Sequence, residues 1–494
     1  MLWDFLSRSV SSSGRGERVA VATDELRVTY VELLGRARLL AARLRESGVG
    51  PGHVVLAYLG NVPAFLVTLL ATARCGAAFV PLDASMTDAE LDGVLSLVRT
   101  DLVVCEAADA PRCERFSKNL ICVDAAGDVE EVRITRTPAA SLDPGIGCVQ
   151  LSSGTTSASK GVLLSHEAFV RRSHDLVRAL GLGDDDRTLC SLPLSHTHGA
   201  ECLALPTLLA GGTLHLRSPK LAFPLYVLEE IECLGITFFS SIPQFYDFSV
   251  KLGAGKCPDL RHLRLPFCGS AALARTTAEA FFDRYGVHIK QGYGLAELSV
   301  ICINMHDGPR VVYDSVGRPI DGIDWRLVGG ECPSEGELVV RSSGMFAGYV
   351  NDEQATRERL RDGWLHTGDL VTVDEEGLFR IVGRKEDFIK VNGFKVYATE
   401  VEAAIIALDW IEECAVVSEK DDLGAERIVA HVVPRDRTRP APAVEKALLD
   451  HLRGVVSEHK LPRKCVAARE LPTNALGKIL KSKLRTSTHR EESA

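Results

Sequence analysis

A chain of 494 residues is longer than one hydrophobic core can organise, so at least two domains are expected. Its 46% hydrophobic and 25% charged residues are those of an ordinary soluble globular protein, and a net charge of −9 offers neither nucleic acid nor an anionic membrane a general attraction. The 14 cysteines, running from Cys75 to Cys465 without a Cys-x-x-Cys pair or zinc-like histidine spacing, read as reduced, mostly buried thiols of a cytoplasmic protein.

Residues 1–8 carry an acid inside a short apolar run and lack the shape of a cleavable signal. The longest apolar region, 65–81, is broken by Arg74 and followed by Asp83, so no membrane span is predicted. Thr29-x-x-Glu32 is a capping-box pattern, and Leu33, Leu34, Ala37, Leu40 and Leu44 follow at helical spacing, which predicts a helix ending at the Gly/Pro-rich 48–52. A strand is expected over 54–57. The alternation repeats, with helices over 62–73 and 88–97 and strands over 102–105, 121–123 and 146–151. Beyond it, helices from about 167 and about 200, then near 224–233, 244–251 and 274–285, alternate with strands near 188–192, 213–216, 237–239 and 263–267. Strand then helix, many times over, implies large α/β layers with parallel strands, whose ligands sit beyond the carboxyl ends of the strands. Past 287 the pattern turns to antiparallel strands at 337–341 and 378–382. The charge run Arg384-Lys385-Glu386-Asp387 then introduces a compact α+β tail of about 110 residues, with helices at 400–408 and 444–456. Domains are therefore expected at 1–385 and 386–494.

Residues 151–161 read Leu-Ser-Ser-Gly-Thr-Thr-Ser-Ala-Ser-Lys-Gly. They gather backbone N–H groups, hydroxyls and one cation between a buried strand and the next helix, which suits a polyphosphate. Walker A spacing is missing, and a loop of this kind read alone is more often a flexible polar surface connection. Four more stretches have unusual local chemistry: Pro193-Leu194-Ser195-His196-Thr197-His198-Gly199, Gln291-Gly292-Tyr293-Gly294-Leu295-Ala296-Glu297, which puts a carboxylate just after an expected Gly-rich turn, Trp364-Leu365-His366-Thr367-Gly368-Asp369-Leu370, and Leu471-Pro472-Thr473-Asn474-Ala475-Leu476-Gly477-Lys478. Singly, each has a plain structural reading as packed histidines, a turn acid or a solvated lysine.

Together and in this order, the motifs resemble the adenylate-forming superfamily of acyl-CoA synthetases, AMP-dependent ligases and stand-alone adenylation enzymes, over nearly the whole chain. The resemblance implies a large N-terminal domain of α/β layers with a β-rich subdomain, which binds ATP and the acid. It also implies a small mobile α+β C-terminal domain carrying the catalytic lysine. Ser152, Ser153, Gly154, Thr155, Thr156 and Lys160 match the phosphate loop, and Glu297, with Thr156, matches the Mg²⁺ site. Gly269, Ser270 and Ala271 match the segment lining the adenine, with Tyr293 stacking nearby. Asp369 matches the acid that binds the ribose hydroxyls, Arg384 the arginine beside ribose and phosphate, and Glu386 the hinge. Lys478 matches the lysine bridging α-phosphate and substrate carboxylate, and Asn392 and Gly393 line the thiol's tunnel after the C-terminal domain rotates. His196 and Gly294 fall in the acid pocket, although His196 reads equally as a packed histidine.

The implied activity is that of an ATP-dependent carboxylic acid:thiol ligase using Mg²⁺, with ATP and CoA as substrates. His198-Gly199-Ala200 stands where amino-acid-activating members place an Asp for the substrate ammonium, so the expected acid is lipophilic or aryl and lacks an α-amino group. The sequence also departs from the family. Ser157 and Ser159 replace a Gly and a Pro of the phosphate loop, Ala296 replaces a Thr, and Asn392 stands where many thioester-forming members have Gly. Two readings of the altered loop stand: it works with changed geometry, or the enzyme takes preformed acyl-adenylate and performs only thiol transfer. The acceptor is CoA or the phosphopantetheine arm of a separate carrier protein. A non-catalytic binding or regulatory protein on the same fold is a further reading, against which the retained Lys478 argues. A dinucleotide-binding oxidoreductase lacks its Gly-x-Gly-x-x-Gly after an early strand.

Overall fold

The computed structural model describes residues 1–152, 160–251, 257–305, 311–330, 332–385, 388–391, 394–420, 426–473, 479–481 and 483–484. Contacts divide these into two compact units, one of residues up to 325 together with 340–365, the other of 326–339 and 366 onward.

Two large sheets organise the first unit. In the eight-stranded sheet the order is Gly348–Tyr349, Lys160–Ser165, Ile146–Ser152, Ala78–Leu82, Val54–Tyr58, Leu102–Glu106, Leu120–Val123 and Val129–Arg133. Its central strands run parallel, while Lys160–Ser165 returns antiparallel on Ile146–Ser152. The nine-stranded sheet runs Arg318–Pro319, Ser299–Asn304, Lys290–Leu295, Leu265–Cys268, Phe238–Ser241, Arg187–Cys190, Thr213–Leu216, Val19–Ala22 and Arg27–Thr29, again parallel at its centre.

The helices form where the periodicity predicts them. Tyr30–Glu46 starts at Thr29, whose hydroxyl accepts from the Glu32 N–H while the Glu32 carboxylate accepts from the Thr29 N–H, and its buried face is Leu33, Leu34, Ala37, Leu40, Ala41 and Leu44. Pro63–Cys75 is buried on every side except at Arg74, which explains the longest apolar run: a helix hydrophobic all round is a core helix at this length. Each fully buried Leu, Val or Phe contributes roughly 1.5–3 kcal/mol, and such residues run through every central strand. No described helix is long and apolar enough to cross a membrane. An amphipathic first helix, Leu2–Ser13, and the β-hairpin Lys290–Leu295 with Ser299–Asn304 are additions to the expected elements.

A five-stranded sheet, of which residues 326–328, 335–339, 366–373 and 379–384 belong to the second unit, is formed by Asp324–Val328, Glu335–Arg341, Trp364–Val373, Leu360–Arg361 and Phe379–Arg384. In it Trp364–Val373 pairs antiparallel with Leu360–Arg361 and with Phe379–Arg384. The tail follows as a hairpin, Phe388–Val391 with Phe394–Tyr397, the helix Ala398–Ile406, a sheet of Ile411–Lys420, Glu426–Pro434 and Lys464–Ala467, and the helix Ala441–Leu452. Its core joins Val401, Ile405, Val416, Ile428, Val432, Val444 and Leu448. The whole is a mixed α/β architecture with a large N-terminal and a smaller C-terminal part, as expected.

Candidate active site

The carboxyl ends of the nine-stranded sheet converge on His198. After Arg187–Cys190 the chain turns through Pro193 and enters a π-helical turn, His198–Ala204, rather than the α-helix expected from about 200, before Leu205–Ala210 continues as α-helix. Such turns recur at functional sites. Gly199 permits the approach, since a Cβ there would lie 2.2 Å from the Pro193 carbonyl oxygen. His198 is bonded through Nε2 to the Ser240 hydroxyl at 2.6 Å and through Nδ1 to the Ser270 hydroxyl at 2.9 Å. Burial, reinforced by His196, pushes its pKa down to about 4. The ring is therefore neutral at pH 7, one nitrogen donating and the other accepting. Ser270, a non-glycine residue at φ 70°, is held in the left-handed region, and Gly269 N–H donates to the Ser241 carbonyl at 3.2 Å. Gly269 is buried and Ser270 and Ala271 are exposed, so the expected adenine segment is fastened at its base and open along its edge.

His196 has Nε2 3.7 Å from Asp83, an acid just past the strand Ala78–Leu82, and the Ser195 hydroxyl donates to the same oxygen at 3.3 Å. Burial lowers the His196 pKa and Asp83 opposes the shift.

The Gly-rich stretch before Glu297 is a strand, Lys290–Leu295, and not a turn. Gly294 is required there, because a Cβ would lie 1.9 Å from the Ser299 carbonyl oxygen across the hairpin. Tyr293 is half-buried opposite Cys302. Glu297 lies in the connection between the strands, and its carboxylate accepts from the Tyr349 hydroxyl. Tyr349 lies on the edge strand paired with Val162 and Leu163, and Lys160 places Nζ 4.9 Å from the Tyr349 ring centroid and 3.5 Å from Asp352. Burial first, and Glu297 second, push the Tyr349 pKa above its ordinary value, so the phenol remains a donor. Tyr349 is the residue that the motifs missed: it stands 52 positions beyond Glu297, and only the strand pairing brings the two together.

In the second unit Asp369 and Arg384 are register mates on neighbouring strands, with Arg384 Nε 2.7 Å from Asp369 Oδ1. Asp369 is buried, and its own N–H donates to the Thr367 hydroxyl at 3.1 Å, which fixes the local backbone. A bulge after Leu370 leaves Val382 as the extra residue, and the Thr399 hydroxyl donates to the Val382 carbonyl. Beneath them, Glu337 is buried among Lys385 at 2.8 Å, His366 at 3.3 Å and the Gly368 N–H at 3.3 Å. Burial would raise the Glu337 carboxyl, yet Lys385 and His366 hold it below its ordinary value.

The structure thus assembles Lys160, His196, His198, Gly269, Ser270, Ala271, Tyr293, Gly294 and Glu297 within the first unit, and Asp369 with Arg384 within the second. Ser152 ends its strand opposite Lys160. Ser153, Gly154, Thr155, Thr156, Ser157, Ser159, Glu386, Asn392, Gly393 and Lys478 lie outside the described residues. Among the described residues no group of three or more His, Cys, Asp or Glu side chains can hold a metal.

Residues 9–350 match the model of the AMP-binding enzyme family, and residues 400–478 match that of the AMP-binding enzyme C-terminal domain. The chain is 34% identical over 481 residues to a feruloyl-CoA synthase of Amycolatopsis sp, covering 93% of each. It is 32% identical over 497 residues to an indoleacetate–CoA ligase of Aromatoleum aromaticum, covering 95% of this chain and 94% of that protein. Among solved structures it is similar to ATP-bound MatB from Rhodopseudomonas palustris, with a TM-score of 0.86, 26% identity and coverage of 99% and 100%. It is also similar to the amide bond synthetase McbA from Marinactinospora thermotolerans, with a TM-score of 0.85, 28% identity and coverage of 99% and 100%. The chain belongs to the AMP-binding enzyme family, within the adenylate-forming superfamily, and is an AMP-forming acid–thiol ligase.

Proposed function

We propose that this enzyme activates a lipophilic or aryl carboxylic acid lacking an α-amino group as its acyl-adenylate and transfers the acyl group to CoA. The observation that carries the substrate class is His198. A neutral ring locked between Ser240 and Ser270 offers no charge to a substrate ammonium at the place where amino-acid-activating members use a carboxylate. Similarity to ligases named for feruloyl, 4-coumarate and indoleacetate substrates supports an aryl acid.

A carboxylate resists thiols because oxide is a poor leaving group. Its attack on the α-phosphorus of ATP expels pyrophosphate and makes AMP the leaving group; thiol attack on the acyl carbon then releases AMP. Charge develops on phosphate oxygens in the first step, where a fixed cation is most useful. Lys478 takes that role, Asp369 accepts from the ribose hydroxyls, and Arg384 lies beside ribose and phosphate. Residues 386–494 turn about Glu386 between the two steps, bringing Asn392 and Gly393 to the thiol.

Glu297 and Thr156 suit Mg²⁺ in donor chemistry. A hard divalent ion of this kind is held by one or two carboxylate or hydroxyl oxygens, with phosphate and water completing its shell, and Glu297 presents a carboxylate already oriented by the Tyr349 phenol. When bound, such an ion neutralises charge on phosphate oxygens.

The test is mass spectrometry of the purified protein with Mg²⁺ and CoA, given either ATP plus pooled carboxylic acids or the matching acyl-adenylates. Acyl-CoA in both arms supports the complete ligase and identifies the acid. Product from adenylates alone means that Ser157 and Ser159 have cost the first step. Silence in both arms refutes the CoA reading and turns the search to a carrier-protein acceptor. Lys478→Ala should slow adenylation by roughly 10²–10³ while sparing transfer from supplied adenylate; equal loss in both steps removes Lys478 from its assigned role.

A further inference from the structure

The helix His166–Leu180 buries Ala168, Phe169, Arg172, Ser173, Asp175, Leu176 and Leu180. An arginine in that company is costly unless something specific employs it. Its side chain is 2% exposed, and every N–H of its guanidinium is used. Nη1 donates to Glu201 Oε2 at 2.9 Å and to the Ala296 carbonyl at 3.2 Å. Nη2 donates to the Glu297 carbonyl at 3.0 Å and to the Gly344 carbonyl at 2.9 Å, and Nε donates to the same Gly344 oxygen at 3.2 Å. Glu201, fully buried on the π-helical turn that also carries His198, supplies the counter-charge.

These bonds converge on the two segments that build the Glu297–Tyr349 contact. Gly344 lies in the turn leading to Tyr349, and the Phe346 N–H donates to the Glu297 carbonyl at 2.8 Å. A planar fork of five donors can hold three carbonyls and a carboxylate in one plane, whereas a lysine or an apolar residue cannot.

We propose that Arg172, neutralised by Glu201, is a positioning residue for the carboxylate of Glu297, fixing the backbone on either side of the Glu297–Tyr349 contact so that the carboxylate is set for Mg²⁺; this rests on the reading of Glu297 as the metal's acid. Stability alone does not account for the pair. Two charges taken out of water to this depth gain little over well-packed apolar side chains, while backbone carbonyls beside the metal's acid gain a fixed geometry.

The test uses Mn²⁺ as a paramagnetic probe, titrated by electron paramagnetic resonance into the full-length protein with saturating ATP, beside ATP binding without divalent metal and the melting temperature. Arg172→Met should weaken Mn²⁺ binding by roughly 10–100-fold, the scale for removing a metal ligand's outer support, and leave metal-free ATP binding unchanged, while Glu297→Gln, which removes the ligand itself, should weaken Mn²⁺ binding by at least as much. Arg172→Lys should recover only part of the loss. A lower melting temperature with wild-type Mn²⁺ affinity in the Arg172 variants, while Glu297→Gln is impaired, overturns the positioning role alone. Wild-type affinity in Glu297→Gln overturns the metal reading and the positioning role with it. If Arg172→Met does not accumulate as folded protein, Arg172→Lys and Glu201→Gln make the same comparison.

Discussion

Arg172→Met should make the stability of this enzyme fall more steeply with rising pH than it does in the wild type. In the native fold Glu201 is buried, Arg172 bonds its Oε2, and among the described residues its Oε1 has no hydrogen-bond partner. Burial raises the Glu201 pKa and Arg172 pulls it back down. Removing the arginine leaves burial unopposed. The folded-state pKa then climbs further above the unfolded glutamate value of about 4.3. A folded state that keeps a proton which the unfolded state has lost is stabilised below the unfolded pKa, and that stability is lost as pH rises through the folded pKa. The slope is at most about 1.4 kcal/mol per pH unit. At neutral pH the total cost should reach about 3–5 kcal/mol, the range for a buried charge stripped of its partner. The neighbouring thiols of Cys148 and Cys202 are raised by burial, Cys202 to about 12, and stay protonated throughout, so they add no slope. Urea unfolding followed by tryptophan fluorescence at about pH 5.5, 6.5 and 7.5 reads the effect, with Arg172→Met/Glu201→Met as the control expected to be flat. A deficit of equal size at all three values would refute the reasoning, since it would mean that lost packing and not an uncompensated carboxylate sets the cost.

Asp369→Asn removes a charge-assisted acceptor and leaves Arg384 without its 2.7 Å partner. It should weaken ATP by roughly tenfold or more in KM, on the scale of a hydrogen bond to a charged group, while kcat at saturating ATP stays within about threefold; a fall confined to kcat would contradict a purely nucleotide-holding role. His198 is held neutral in the fold with a pKa pushed down to about 4, below the unfolded value of about 6.5, so its contribution is complete above 6.5 and is lost as pH falls toward 4. His198→Gln should therefore show a shallower drop in melting temperature between about pH 7 and pH 5 than wild type, and an identical drop would show that another group carries the acid sensitivity.

Most of the first unit was legible because its chemistry is periodic. Thr29 and Glu32 cap a helix in the sequence as they do in the structure, and the apolar runs of the parallel strands have no polar interruption to disguise them. The site's acids and histidines were legible as ordered motifs, and their register was not. Gly292 and Gly294 read as a turn because glycine is weak strand material, yet a strand is what demands them: at Gly294 the partner carbonyl comes too close for any Cβ. Trp364–Val373 hides its alternation in the same way, since the buried positions Thr367 and Asp369 are polar. Arg172 left a signal that could have been taken up, a charge at a core position of an amphipathic helix. Tyr349 and Glu201 left none, because their partners are 52 and 29 residues away and meet them only through tertiary packing.

The bulged pairing of Trp364–Val373 with Phe379–Arg384 bears on how this gene can change. Asp369 and Arg384 face each other only because the tight turn at 374–378, closed by Asp374 accepting from the Leu378 N–H and by Gly377 at φ 76°, and the one extra residue Val382 together set the count between them. Strand pairing has a period of two, so inserting or deleting a single codon in that turn would send Arg384 to the opposite face, whereas exchanging one turn residue for another would leave the pair in place. Selection on this stretch should therefore act on its length more strictly than on its composition.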